Sequence, residues 1–331
     1  MIPKVSVCIP VYNTELYLAQ CLQSVLIQDY DNFEVVIVSD ASKGKDKKGR
    51  AAKKIIRSIQ KECNSKRKER KLSKIEIRFF EHRNNQGLLE TRRTLCYEAK
   101  GEYIAMVDSD DVMEIDALSS MANAGGYDII QGRTTSGFFN DDEIFIPSEI
   151  NLYNNITIGE LKGRQIFHEW VSCGNLSGVH WGKLIKRELY LKALENIPYS
   201  ECNMAEDYLF SFFITQFAKT YLGIESKVYR YRTTTGMSAS KKIDDLKQWK
   251  MICSTASVFT IISQWIEEHK ADSQITDEEL NYIKSRTSFY LSNNLMQMKD
   301  LVIPELQPAA LQMLCDYWGE HFVQTVELQT N

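Results

Sequence analysis

Two short β-branched runs, "KVSVCIPV" (4–11) and "FEVVIVSD" (33–40), enclose a stretch in which Leu18, Cys21, Leu22, Val25 and Leu26 recur at helical spacing. Apolar runs without polar alternation form strands buried on both faces, and strands separated by one amphipathic helix pair in parallel. The pattern repeats. A helix through Ala52, Ile55, Ile56, Ile59 and Cys63 leads to the strand "IEIRFF" (75–80), and a helix over about 88–99 leads to the strand "YIAMV" (103–107). This alternation predicts an α/β fold, a Rossmann-like and mainly parallel sheet flanked by helices. Such sheets take ligands in the crevice beyond the carboxyl ends of their strands. Four strand-end sets are therefore expected on one rim: Pro10, Tyr12 and Asn13; Asp40 and Ser42; residues 83–87; and Asp108 through Asp111.

After about residue 125 the alternation weakens. "YDIIQGRTTSGFF" and "IFIPSEINLY" read as strands or a hairpin, "GVHWGKLIKRELYLKAL" as a loop or strand turning into a helix, and "EDYLFSFFITQFA" as a largely buried helix. "YLGIESKVYRYR" returns as a strand. From about 243 onward the period is helical, with Ile252, Ala256, Phe259, Ile262 and Ile266 on one face and further helices near 276–298 and 305–318. The expected division is 1–240, in halves of about 1–112 and 113–240, followed by a helical extension over 241–331. The eight cysteines are scattered with no CxxC pair, which fits a reducing cytosol and argues against zinc. Residues 1–30 lack a signal-peptide pattern, and no apolar run approaches the roughly 18 residues of a membrane span, so a cytoplasmic protein is expected.

The segment "YIAMVDSDDVMEI" (103–115) places three carboxylates within four positions. One reading is a turn and a helix start, since Asp and Ser cap helices and Asp suits the positive end of the helix dipole. The other is a divalent cation, because magnesium is commonly held by one or two carboxylates plus substrate phosphates.

The motifs together favour the second reading. "VSVCIPVYNTELYLAQCLQSVLIQDYDNFEVVIVSDAS", "NNQGLLETRRTL" (84–95), "GEYIAMVDSDD" (101–111), "HWGKLIKREL" (180–189) and "AEDYLFSF" (205–212) resemble the inverting nucleotide-sugar glycosyltransferases of family 2, which have the GT-A fold. The resemblance spans residues 4 to about 235. It implies a GT-A domain with a nucleotide-binding half and an acceptor half, acting in bacterial surface-polysaccharide synthesis. Pro10, Tyr12, Asn13 and Asp40 are expected at the nucleoside, with Arg92 meeting the nucleotide. Asp108-Ser109-Asp110 is the DxD element: Asp110 is the expected Mn2+ or Mg2+ ligand, Asp108 contacts ribose or a metal-bound water, and Asp111 caps the next helix. Asp207, with Glu206 beside it, takes the base position. His180, Trp181 and Lys183 are expected beneath the donor sugar and acceptor, and "YRYRTTTGMSAS" (229–240) as a segment folding over the nucleotide, with Arg230 or Arg232 reaching the diphosphate. The implied partners are a nucleoside-diphosphate sugar, UDP-sugar favoured, and a glycan or lipid-linked acceptor. The sequence departs from the family pattern at "SDAS", usually "DDGS", and at "TRR", usually "ARN".

The net charge of −4 conceals a split: residues 43–74 hold 15 Lys plus Arg against three acids, a local +12. A nucleic-acid surface is one reading, but no aromatic residue there can stack on bases, so no nucleic acid is expected. Peripheral contact with an anionic membrane, at its inner face, is the favoured role. An inactive relative is a second alternative, opposed by the presence of both Asp110 and Asp207. In the extension, Trp249, Phe259, Trp265, Phe289, Tyr290, Leu291, Leu295 and Trp318 predict either an association surface, such as a homodimer, or a cap on the core.

Overall fold

The structure, a computed structural model, describes residues 4–200, 202–235, 242–270 and 272–330. The first half runs β1 (Val5–Val11), α1 (Glu15–Leu26), β2 (Phe33–Ser39), α2 (Ala52–Glu69), β3 (Ile77–Glu81), α3 (Leu88–Glu98) and β4 (Tyr103–Met106). There follow β5 (Val112–Met113), α4 (Ala117–Ala124), β6 (Ile129–Phe139), β7 (Phe145–Pro147), β8 (Gly159–Lys162), α5 (Arg164–Val171), β9 (Lys183–Lys186), α6 (Arg187–Asn196), α7 (Glu206–Phe217) and β10 (Thr220–Arg232). The chain ends in α8 (Leu246–Cys253), α9 (Thr255–Glu268), α10 (Asp277–Leu301), α11 (Gln307–Trp318) and α12 (Glu320–Thr330).

The main path of the sheet is β3-β2-β1-β4-β9-β6-β10-β5. The first four strands are parallel, as expected, with Val5 opposite Phe33 and Tyr103. β9 runs antiparallel between β4 and β6, and β10 is parallel to β6. Strand pleating sorts the side chains between two cores. Val5, Val7, Ile9, Val35 and Ile37 pack under α1, α2 and α4, while Cys8, Val36, Val38, Ile104 and Met106 pack under α3, α6, α7 and α9. A third core, around Trp249, Leu291, Leu295 and Leu314, lies within the extension.

Several elements were not anticipated. α5, β8 and α12 are short or weakly periodic, and the single helical face expected over 252–266 is divided into α8 and α9 at Ser254. "YDIIQGRTTSGFF" and "IFIPSEINLY" do form a hairpin, β6 with β7. Trp249, Phe259, Trp265, Leu291 and Leu295 are buried inside the chain, so the apolar residues that suggested an association surface are packed internally; Phe289 alone of the set stays largely exposed. No helix among the described residues is long and apolar enough to cross a membrane.

The basic stretch divides into a loop and α2. Ile55, Ile56, Ile59 and Cys63 face the sheet, and Lys53, Lys54, Arg57 and Lys61 face outward. Within "KRKERK" (66–71), Arg67 turns inward while its basic neighbours are exposed. Its guanidinium is buried, donates to the carbonyls of Leu26, Gln28 and Tyr30, and pairs with Asp31 at 2.5 Å. A cation that donates to several backbone carbonyls, that of Ser73 included, and pairs with a carboxylate is held by hydrogen bonding rather than left in water.

Candidate active site

The strand-end loops meet through polar contacts spanning many sequence positions. Asp40, just past β2, is buried; its Oδ1 accepts from Gln86 N and lies 2.8 Å from His82 Nδ1, and its Oδ2 accepts from Gly87 N. The carboxylate thus fixes the loop after β3 and keeps lone-pair capacity on Oδ2. Gly87 has φ +89°, a left-handed backbone that favours glycine, and a Cβ there would press on the Asn203 side-chain oxygen at 2.6 Å. The first and fourth loops join where the Thr14 and Ser109 hydroxyls lie 2.6 Å apart.

Arg92, in the first turns of α3, is the electrostatic hub. Its buried guanidinium stands 3.3 Å from Asp108, 3.3 Å from Glu206 and 3.5 Å from Asp207. Three carboxylates around one cation leave two negative charges if all ionise. Burial, then the charge of Glu206, then that of Asp108 hold the Asp207 carboxyl well above the ordinary carboxylate range, with Arg92 opposing. The Asp207 side chain still exposes 29% of its surface to the cleft, so water tempers that burial. Glu206 is also raised, chiefly by burial. Asp207 Oδ1 and Arg92 Nη1 have no hydrogen-bond partner among the described residues.

Glu206 and Asp207 open α7, where the helix dipole favours negative charge. The preceding Ala205 has φ +62°, a left-handed conformation unusual without glycine, and strain of that kind concentrates at functional sites. His180 is buried: its Nδ1 lies 3.0 Å from the Tyr190 hydroxyl and its Nε2 3.3 Å from Asp207 Oδ1. Burial, then Arg92 and Lys183, push the imidazole well below its usual range, so the ring is neutral. Burial also pushes Lys183 down to about 7; its ammonium donates to the carbonyls of Ser177 and Val179.

In the DxD element, Asp110 accepts from the Thr235 hydroxyl at 2.7 Å, and its carboxyl is raised by burial and by Asp108. Asp111 is not the cap of the next helix: α4 starts at Ala117 after Asp116. Asp111 is instead buried, accepting from the Tyr229 hydroxyl at 2.9 Å and from Arg232 N at 2.7 Å. Asp108 and Asp110 remain for a cation. No cluster of three or more His, Cys, Asp or Glu able to hold a metal occurs among the described residues. Two adjacent carboxylates, of which Asp110 is raised by burial and by the charge of Asp108, suit an ion that takes its other ligands from water and diphosphate.

Pro10, Tyr12, Asp40, Arg92, Asp108, Ser109, Asp110, Glu206 and Asp207 line one cavity of about 300 Å3. Asn13, His180, Lys183 and Arg232 lie outside its lining. The Asn13 amide accepts from Lys43 N, and Arg232 is held between the Tyr17 and Phe139 rings while donating to the Asp110 carbonyl and Gln20. Trp181 stacks between Tyr229 and Tyr231, at 4.8 and 5.2 Å, and lines a second cleft of about 800 Å3. Asp108 and Asp207 line both. Sequence reasoning did not single out Thr14, Met204, Ala205, Thr235 or Met251 of α8, all of which line the smaller cavity. Residues 236–240 of the expected covering segment lie outside the described residues.

These features define an α/β protein with a polar cavity at its strand ends and a carboxylate that lines two cavities. The chain belongs to glycosyl transferase family 2: the model of the family described as Glycosyl transferase family 2 matches residues 6–178. It is 28% identical over 234 residues to EpsH of Bacillus subtilis strain 168, covering 70% of this chain and 61% of that one, so it spans about three fifths of that relative. It is 25% identical over 249 residues to glycosyltransferase GlyG of Streptococcus pneumoniae serotype 4, covering 72% and 74%. The fold, of the GT-A type, is shared with S. aureus TarS 1-349 in complex with UDP-GlcNAc (TM-score 0.53, 19% identity, 99% and 92% coverage). It is shared also with the mannosyltransferase PcManGT of Pyrobaculum calidifontis in complex with GDP-Man and Mn2+ (TM-score 0.53, 14% identity, 100% and 85% coverage).

Proposed function

We propose that the chain moves a sugar from a nucleoside diphosphate, UDP-sugar favoured, to a hydroxyl of a glycan or lipid-linked acceptor with inversion. The observation that carries this reading is Asp207, whose carboxylate lines both cavities. In a single displacement the acceptor oxygen bonds to the anomeric carbon as the bond to the diphosphate oxygen breaks. Asp207 takes the acceptor proton, and the diphosphate leaves with the electron pair. Asp110, with Asp108, would hold Mn2+ or Mg2+, which supplies Lewis-acid stabilisation of the charge growing on the diphosphate. Arg92 steadies the carboxylates, and Asp40 Oδ2 accepts the imide N–H of uracil while Tyr12, about half exposed at the mouth, stacks on the base. The PcManGT complex with Mn2+ and the TarS complex with UDP-GlcNAc support the metal and the donor class. The test is donor hydrolysis across UDP-, GDP-, CMP- and dTDP-sugars with Mn2+ or Mg2+. At least one should be hydrolysed only with metal; hydrolysis of none, with thermal stabilisation by an oligonucleotide instead, would remove the reading.

The outward face of α2 supports a peripheral contact with anionic membrane. Lys53, Lys54, Arg57 and Lys61 are exposed there, and each basic residue close to an anionic leaflet contributes about 1 kcal/mol. Vesicles containing anionic lipid should co-sediment the wild type at low salt, and less at high salt. A variant with these four changed to Gln should stay in the supernatant; equal sedimentation of the two proteins would leave α2 a solvated surface.

A further inference from the structure

Outside the family-matched segment, α10 forms one wall of the 800 Å3 cleft. We infer that its exposed face is part of the acceptor site and that the acceptor is an oligosaccharide carrying an anionic group; this rests on the reading of Asp207 as the base.

The helix is fixed relative to Asp207. Thr276 and Glu279 close a capping box at its start, and buried Glu279 also pairs with Arg164 of α5 at 2.7 Å. Further along, Tyr290 packs on Phe259 of α9 at 5.1 Å and on Tyr208, the residue after Asp207, at 6.1 Å. Tyr282, Arg286 and Phe289 follow at intervals of four and three, so they form one stripe. All three line the cleft, and Tyr282 and Phe289 are 44% and 57% exposed. Ile283, Leu291 and Leu295 face the other way into the cores. Large aromatic rings left facing a cleft continuous with the reactive carboxylate offer flat apolar faces to sugar rings. The cleft holds more than twice the volume of the donor cavity, which suits several linked sugars rather than one.

The charge pattern selects among oligosaccharides. Asp108 and Asp207 line the end shared with the donor cavity, and Arg286 is the only Lys or Arg among the described lining residues. Among the described residues its guanidinium makes no ion pair and lies over the Phe289 ring at 5.4 Å. A planar cation held over an aromatic ring and free of carboxylates is set to take a phosphate or carboxylate in bidentate fashion.

The test is binding of the full chain, with UDP and Mn2+ present, to immobilised oligosaccharides that share one backbone and are neutral, phosphorylated or uronic-acid-bearing. The wild type should prefer the anionic members, and the two anionic series show which group is taken. Arg286→Gln should lower that binding about tenfold, to the level of the neutral series, which corresponds to about 1.4 kcal/mol. Phe289→Ala should weaken both series alike. Lys284→Gln, exposed on α10 but outside the cleft lining, should change neither. Stabilisation by UDP with Mn2+ should survive in every variant. A wild type that binds none of the series, shows no anionic preference, or is matched by both Arg286→Gln and Phe289→Ala overturns the inference. Failure of UDP with Mn2+ to stabilise the wild type overturns the donor reading instead.

Discussion

Asp207→Asn is expected to lower sugar transfer roughly 10²- to 10⁴-fold, the usual worth of a general base, while binding UDP and Mn2+ like the wild type. The amide keeps the shape of the carboxyl and its place at the start of α7 but cannot take the acceptor proton. The wild type should also show a particular pH dependence. A base works ionised, and burial with Glu206 and Asp108 raises the Asp207 carboxyl, so transfer should climb as pH rises through a range above that of an ordinary carboxylate. In Asp207→Asn that limb should be absent. His180 does not supply it, because its ring is held neutral far below its usual range. Wild-type transfer by Asp207→Asn would remove the assignment, and a wild-type profile flat from pH 5 to 9 would remove the electrostatic account of it.

Asp110→Asn should abolish the thermal stabilisation that UDP gives only with Mn2+. At a hundredfold excess over Kd that stabilisation amounts to about 2.7 kcal/mol, a shift of several degrees. Without ligands the same variant should melt above the wild type. The Asp110 carboxyl is raised by burial and by Asp108, so its ionised form opposes folding. A raised carboxyl lowers stability once pH exceeds its unfolded value near 3.9, so the gain should be present at neutral pH and vanish below that value. Asn keeps an oxygen for the Thr235 hydroxyl, which Ala would not. A variant that melts with or below the wild type, and still responds to UDP with Mn2+, would contradict both halves.

How far the sequence reached depended on the range of the interactions involved. β1, β2 and β4 were legible because their runs are largely apolar on both faces, and the strand-end polar residues followed from strand direction. Asp40, Arg92 and Asp108 through Asp110 come together at those ends, as parallel strands require. Thr14 beside Ser109 and Thr235 on Asp110 arise from segments 95 or more positions apart, and Met251 reaches the smaller cavity from α8, with no local pattern to mark them. Arg67 shows the same limit: within a basic run it resembles its neighbours, and only the carbonyls of Leu26, Gln28 and Tyr30, about 40 residues earlier, draw it inward. Asp111 read as a cap because Asp before a helix usually is one; the Tyr229 hydroxyl and the Arg232 amide, brought by the distant β10, claim it instead.

The two walls of the large cleft differ in what a substitution would cost the fold. On one side Asp207 lies 3.5 Å from the buried Arg92 guanidinium and 3.3 Å from His180, and loss of Arg92 would leave buried carboxylates without their cation. On the other, Tyr282, Arg286 and Phe289 belong to none of the three cores, and substitutions at such surface positions typically shift stability by no more than about 0.5 kcal/mol. Descendants of this chain can therefore change the α10 face step by step without passing through an unfolded intermediate. The carboxylate cluster has no such freedom, so divergence within the lineage should accumulate on the α10 side of the cleft.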